Sequence, residues 1–283
     1  MVNLLFAIND KVSQQLLTCL YSIVINSPTK SLDVYVLQQE KLADTEQIEK
    51  FCRRLQINYH PIIVDGKIFE NAPVNDRYPE TIYYRLLAHK YLPKEVSRIL
   101  YLDVDLLVIN DLKQLYQMPM ESKLYAAASH AALTNNMTED FNRLRLGNYE
   151  AESYFNSGVL LMNLDQIRQT VKATDIFNYI REKKLSLFLP DQDVLNALYG
   201  HEIIKIPDEV YNYDARMSAI YLLLGDGKWN LDWVIEHTVI LHFCGRDKPW
   251  KSEYTGRYSG LYKHYAHRVK KLMKSSGQRD KLK

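Results

Sequence analysis

Cysteine is scarce in this chain of 283 residues: only Cys19, Cys52 and Cys244, odd in number, far apart and without C-x-x-C spacing. That argues against a disulfide scaffold and a zinc knuckle, and makes a reducing, cytoplasmic setting the default expectation. Long apolar runs are missing too. No segment approaches the roughly 20 uncharged residues that a membrane-spanning helix needs, and even Val234 to Cys244 is broken by Glu236 and His237. The opening Met1 to Asn9 is short for a signal h-region and lacks its basic start, so it reads as a strand. A net charge of +2 with 25% charged residues gives no global reason to expect a nucleic-acid partner. The 10 glycines and 9 prolines never cluster into a linker, and no internal repeat or low-complexity segment occurs.

What is present is enough apolar sequence, 47%, to bury a large core. Strand-length apolar runs alternate with helix-period segments through the first half, as in crossovers between parallel strands. Val2–Ile8, Asp33–Leu37 and Ile57–Val64 read as strands, and Val12–Val24 and Thr45–Leu55 as helices. Asp65–Pro79 is a loop, and Thr81–Leu92 reads as a helix stopped by Pro93. Arg98–Val108 is the most apolar strand. Leu124–Ala128, Gly158–Asn163 and Val239–Cys244 are further strands, and Leu164–Lys183 and Gln192–Leu198 further helices. The reading is an α/β catalytic domain over 1–255, followed by a basic C-terminal helix and tail over 256–283.

Asp103 and Asp105 fall inside that apolar strand. Burying two carboxylates there is costly unless something positive compensates, and in a strand residues i and i+2 share a face, so both can address one cation. Oxygen ligands suit Mg²⁺ or Mn²⁺, and an added histidine tilts the choice toward Mn²⁺. A lone D-x-D is short and is often a capped loop. Here a second constellation, His242-Phe-Cys-Gly245-Arg-Asp-Lys248-Pro-Trp250, follows another apolar strand. It supplies an imidazole, a glycine for close backbone approach and a lysine to meet a diphosphate.

Four segments together carry a family resemblance: Ile99–Val108, Tyr154–Asn163, Asp191–Asn196 and His242–Trp250. In this order they resemble the motif set of the retaining glycosyltransferases of family 8, over nearly all of Val2–Trp250. The resemblance implies a GT-A fold with a Rossmann-like mixed central sheet, a UDP-hexose donor (glucose or galactose), Mn²⁺, and retention at the anomeric carbon. It implies Asp103, Asp105 and His242 as metal ligands and Gly245 and Lys248 at the diphosphate. Phe6-Ala7-Ile8-Asn9 would meet the uridine, with Ala7 and Asn9 as its contacts, and Arg85, Asn156, Asp191 and Gln192 would surround the sugar. Asn9 stands where many members have Asp, and would offer its amide oxygen to the uracil. Ala128-Ser-His130 lacks an aspartate often found near the sugar, which leaves the hexose open. Asp191 could instead be a helix N-cap after Pro190.

The acceptor implied is a glycan or lipid-linked glycan. Tyr262, Tyr265, Val269, Leu272 and Met273 alternate in the tail with Lys263, Arg268, Lys270, Lys271 and Lys274, which suits either peripheral docking on the inner face of a membrane or a solvated terminal helix. Two other functions fit the paired aspartates: a metal-dependent nucleotidyltransferase, and a UDP-sugar-binding module without turnover.

Overall fold

The computed structural model describes residues 1–69, 72, 74, 79–133, 145, 146, 148, 150–184 and 186–279. Strands are β1 (Val2–Ala7), β2 (Leu32–Gln38), β3 (Ile57–Ile63), β4 (Arg98–Leu102), β5 (Leu106–Val108), β6 (Tyr125–Ala128), β7 (Val159–Asn163), β8 (Ile203–Ile206), β9 (Tyr213–Asp214) and β10 (Ile240–His242). Seven of them form one sheet in the order β3-β2-β1-β4-β7-β6-β8, and β5-β10-β9 form a second. In the large sheet β7 alone runs against its neighbours.

The continuous apolar run before Asp103 is what a strand buried on both faces requires. Leu100 and Leu102 join the core on one face with Leu4 and Phe6, and Ile99 and Tyr101 join the other with Leu5. The chain builds outward from β1 through β2 to β3, then returns to place β4 on the other side of β1. Strand order therefore reverses between β1 and β4, and the carboxyl ends of strands at such a reversal open a crevice. Ala7 and Leu102 end there, which puts Asn9 and Asp103 at its mouth.

The two aspartates are not inside a strand. β4 stops at Leu102, and Asp103-Val104-Asp105 bridges from the large sheet to the small one, where β5 pairs with β10. The long apolar run is two strands of different sheets, and the half-buried aspartates sit in the link between them.

Two helical expectations also change. The segment predicted as Thr81–Leu92 is a 3₁₀ helix, Glu80–Lys90, with Leu87 out of helical conformation. Tyr83, Tyr84, Arg85, Leu86, Leu87 and Ala88 are all buried, so packing on every side overrides a single helical face. Leu164–Lys183 is two helices, Leu164–Thr170 and Ala173–Lys183, divided where Val171 turns extended and buries its side chain. Residues 203–237, unassigned from sequence, hold β8, β9 and several short helices.

The C-terminal helix, Ser259–Arg279, packs on the Ser13–Asn26 helix. Tyr262 and Val269 are buried, and Tyr265, Leu272 and Met273 lie against the core. The apolar side chains that would enter a bilayer are used inside the protein, which leaves the basic face for any contact with anionic lipid. Among the described residues, no helix is long and apolar enough to cross a membrane.

His89, 8% exposed, is held neutral by burial, with Lys90 and Arg168 adding repulsion, so its pKa falls to about 4. The folded value lies below the unfolded one, so the unfolded chain takes up the proton first as pH falls. Stability is complete above about pH 6.5 and drops toward pH 4, by about 3 kcal/mol for this residue. Urea titrations of the wild type and His89→Gln at neutral and acid pH check this: the variant's midpoint is expected to fall less, and equal slopes would refute the assignment.

Candidate functional site

Asp103, Asp105 and His242 each present one ligand atom, and these atoms lie within 4.8 Å of one another. Three backbone constraints bring them together. The Asp103 N–H donates to Gly158 O at 2.8 Å, the Phe243 N–H donates to Asp105 O at 2.9 Å, and His242 pairs in register with Leu106 on one side and Asp214 on the other. Gly158 is needed for the approach: a Cβ there would fall 2.5 Å from His242 Cε1 and 2.8 Å from Asp103 Oδ2.

His242 Nε2 lies 3.1 Å from Asp105 Oδ1, and Lys248 Nζ bonds the other oxygen of the same carboxylate and Phe243 O. Burial would raise the Asp105 pKa, but His242 and Lys248 hold it well below the usual carboxylate range. Burial would likewise lower that of His242, and Cys244 and Asp105 carry it well above its ordinary value instead. Asn212, fully buried, sets the ring. Its Nδ2 donates to Asn156 Oδ1 at 2.9 Å, so its Oδ1 faces His242 Nδ1 at 2.8 Å. Nδ1 must then carry hydrogen, which leaves Nε2 to face the carboxylates: it donates to Asp105 Oδ1 while the ring is protonated, and would offer its lone pair to a cation that displaced that proton.

Behind Asp103 lies Arg85, its side chain 6% exposed. The guanidinium stands 3.0 Å from Asp103 Oδ1 and 3.3 Å from Asp191 Oδ2, donates to Ser157 O at 2.7 Å, and covers the Tyr101 ring. Tyr101 also donates to Asp103 Oδ1, at 2.7 Å. Burial lifts the Asp191 carboxyl above its ordinary pKa against the pull of Arg85. Gln192 Oε1 accepts from Asn156 Nδ2 and from the Ser157 N–H, both at 3.2 Å, and its side chain also bonds Tyr154.

These groups line one cavity of about 380 Å³. Ala7, Asn9, Arg85, Asn156, Asp191, Gln192, Gly245 and Lys248 join the Asp103–Asp105–His242 cluster on its walls. Phe6 does not, being buried in the core. Asn9 Oδ1 accepts from the Lys11 N–H at 3.1 Å, so the amide oxygen expected to face a base is already engaged in a turn. Asp191 is not the helix cap. The Pro190–Tyr199 helix has Leu189 at its N-cap without a side-chain cap, and Asp193, inside its first turn, accepts from the Phe188 and Leu189 N–H groups ahead of it and takes a two-pronged ion pair from Arg145.

The chemistry of the donor set fits a divalent cation. Two carboxylates and a neutral imidazole are the mixed oxygen and nitrogen set that Mn²⁺ accepts. Among the described residues, Asp103, Asp105 and Asp191 pair with Arg85, Lys248 and the protonated His242, so a divalent cation that took the place of the His242 proton would meet three carboxylates held by two permanent cations.

The profile of glycosyl transferase family 8 matches residues 3–254. This chain belongs to that family. Among its relatives, General stress protein A of Bacillus subtilis is 25% identical over 248 residues, covering 83% of this chain and 82% of that one. A lipopolysaccharide 1,2-glucosyltransferase of Escherichia coli is 27% identical over 224 residues, covering 73% of this chain and 61% of that one. The galactosyltransferase LgtC, solved in complex with donor and acceptor sugar analogs, superposes with a TM-score of 0.77 at 21% identity, covering 94% of this chain and 96% of that one. The fold of this family 8 glycosyltransferase is thus GT-A, as the motif order implied.

Tyr154, Ser157 and Asp193 fall inside the quoted motifs without a role assigned there, and Asn212 and Arg145 escape the sequence reading. Asn212 lies in Tyr211-Asn-Tyr-Asp214, where no periodicity marks an element. Asp193 lies two residues beyond Asp191, and only the first-turn position separates a carboxylate bonded to the preceding backbone from one facing the cleft.

Proposed function

We propose that this family 8 enzyme is a retaining hexosyltransferase that takes glucose or galactose from a UDP-sugar with Mn²⁺, or Mg²⁺, as cofactor, and passes it to a glycan or lipid-linked acceptor. The observation that carries this is the convergence of Asp103, Asp105 and His242 beside Lys248 at the crevice where strand order reverses. Asp103, Asp105 and His242 would hold the ion, which when bound supplies positive charge against the departing diphosphate.

Lys248 would add a second cation to the diphosphate, and the left-handed backbone at Gly245, with φ of 85°, would let the loop approach it closely. Ala7 and Asn9 would flank the nucleoside, with Asn9 contributing its amide nitrogen because its oxygen is engaged. Arg85, Asn156, Asp191 and Gln192 would surround the sugar. Gln192 Oε1 already accepts two hydrogen bonds, which makes an intrinsically poor nucleophile poorer still. Same-face substitution fits better: the C1–O bond to the diphosphate breaks, the acceptor oxygen bonds C1 from that face, and the leaving phosphate oxygen takes the acceptor's proton.

We place the catalytic machinery within residues 1–255, buttressed by the 256–283 tail through Tyr258 and Tyr262. The protein would act in the cytoplasm, meeting a lipid-linked acceptor at the inner face of the membrane. The relative named as a lipopolysaccharide 1,2-glucosyltransferase supports that acceptor class. The deciding experiment incubates the protein with UDP-glucose or UDP-galactose, with and without Mn²⁺, and separates the products. Ion-dependent UDP release is expected. Release that is indifferent to chelation, or the absence of any UDP, would overturn the proposal.

Asn212→Ala leaves the His242 ring without its Nδ1 partner. Mn²⁺ affinity by calorimetry is expected to fall about 10- to 100-fold, the usual effect of losing a ligand's orienting partner. An unchanged affinity would mean that the strand alone fixes the ring.

A further inference from the structure

A second cavity, of about 350 Å³, lies among the Ser13–Asn26 helix, the C-terminal helix and Trp250, and none of its lining residues lines the cleft above. One wall is cationic. Lys263, His267 and Lys270, four and three residues apart, share a face of the C-terminal helix and are all exposed. The cavity's lining contains no aspartate or glutamate, and among the described residues none of the three bases forms an ion pair. Lys263 and Lys270 are the permanent charges of this wall, two helical turns apart on one face, so both can reach an anion held between them.

The floor is aromatic. Tyr262 is buried, held edge-on by Phe243 at 5.5 Å, and Trp250 leans on it at 5.8 Å and 45° while remaining half-exposed. The rim carries Gln14 and Gln15, whose carboxamides can both donate and accept, as hydroxyl groups require. A bare phosphate would meet the lysines and leave the aromatic and amide walls unused. A ring of C–H faces and hydroxyls bearing a phosphate uses all three, and the volume suits one such residue.

We propose that this cavity binds a phosphorylated saccharide, with the phosphate between Lys263 and Lys270 and the sugar ring against Trp250. Trp250 and Lys248 share one loop, and Lys248 Nζ lies 5.9 Å from the indole centroid. A phosphate-bearing sugar of an acceptor held here sits beside the donor cleft. That consequence rests on the proposed function, whereas the binding does not.

Isothermal calorimetry on the full chain tests it with glucose-6-phosphate, glucose and inorganic phosphate as probes. Glucose-6-phosphate is expected to bind at least about tenfold more tightly than each of the other two, and Lys263→Glu/Lys270→Glu to weaken it by about tenfold or more. Ion-dependent UDP release without acceptor is expected to persist in that double variant. Glucose-6-phosphate binding is expected to persist in Asp105→Asn, so that loss of the donor reading and loss of this site are told apart. Phosphatidylcholine vesicles carrying a phosphoinositide distinguish the source. Vesicle binding displaced by glucose-6-phosphate assigns a lipid headgroup, and no vesicle binding assigns a soluble glycan; both sustain the site. No glucose-6-phosphate binding, equal binding of inorganic phosphate, or indifference to the charge reversal overturns it.

Discussion

Asp105→Asn is expected to lower ion-dependent UDP release by about a thousandfold or more, with the fold retained. Asparagine keeps the shape of the side chain, so the 103–105 bridge between the two sheets has no steric reason to move. What changes is charge. His242 and Lys248 both address this one carboxylate, and their charges are what hold its pKa down. Without the anion, Lys248 and any divalent ion repel each other across the site, so the variant loses a ligand and gains an uncompensated cation together. Asp103→Asn is expected to do less damage to Lys248, because Asp103 pairs with Arg85 and Tyr101 instead. Steady-state UDP release at rising Mn²⁺ separates the two effects. A variant whose full rate returns at high Mn²⁺ has lost affinity alone, and one within about tenfold of wild type at every concentration would remove Asp105 from the ion's ligands.

The parts of this architecture legible in the sequence are those governed by local pattern. β1, β2, β3 and the helices after the first two were found within a few residues because apolar period and end signals agree there. The candidate site is legible where ordered motifs mark it: Asp103 and Asp105 fall in one of the four segments that carry the family resemblance, and His242 and Lys248 in another. Other features required the third dimension. Arg98–Val108 reads as one strand because both sheets want the same residue types, and nothing local announces that the chain leaves one sheet at Asp103. Asn212 carries no motif, and its importance lies in two side chains, His242 and Asn156, that are distant in sequence. Asn9 lies on the cavity wall, but the engagement of its oxygen by Lys11 depends on the turn that follows β1.

Arg85→Met is expected to destabilise the protein by about 3–5 kcal/mol, a fall on the order of 10 °C in Tm, and to abolish transfer as well. The size follows from what the guanidinium leaves behind. Its two carboxylate partners differ in access to water: the Asp103 side chain is 29% exposed, whereas that of Asp191 is 9% exposed. Asp103 can recover solvation when the arginine is lost, and it keeps its bond from Tyr101. Among the described residues, Asp191 keeps the Ser157 hydroxyl and its own backbone N–H, neither of them a charge, so the cost falls mainly on that buried carboxylate. Arg85→Lys retains a charge without the planar fork that reaches Asp103, Asp191 and Ser157 O at once, and is expected to recover part of the stability and little of the activity. The double variant Arg85→Met/Asp191→Leu distinguishes a structural role from a catalytic one. Removing both partners is expected to restore most of the lost Tm, because no unpaired buried charge remains, while turnover stays at the level of the single variant. Recovered stability together with recovered turnover would show that the pair serves only to hold the Glu80–Lys90 segment against the Pro190–Tyr199 helix, and would take both residues out of the sugar site.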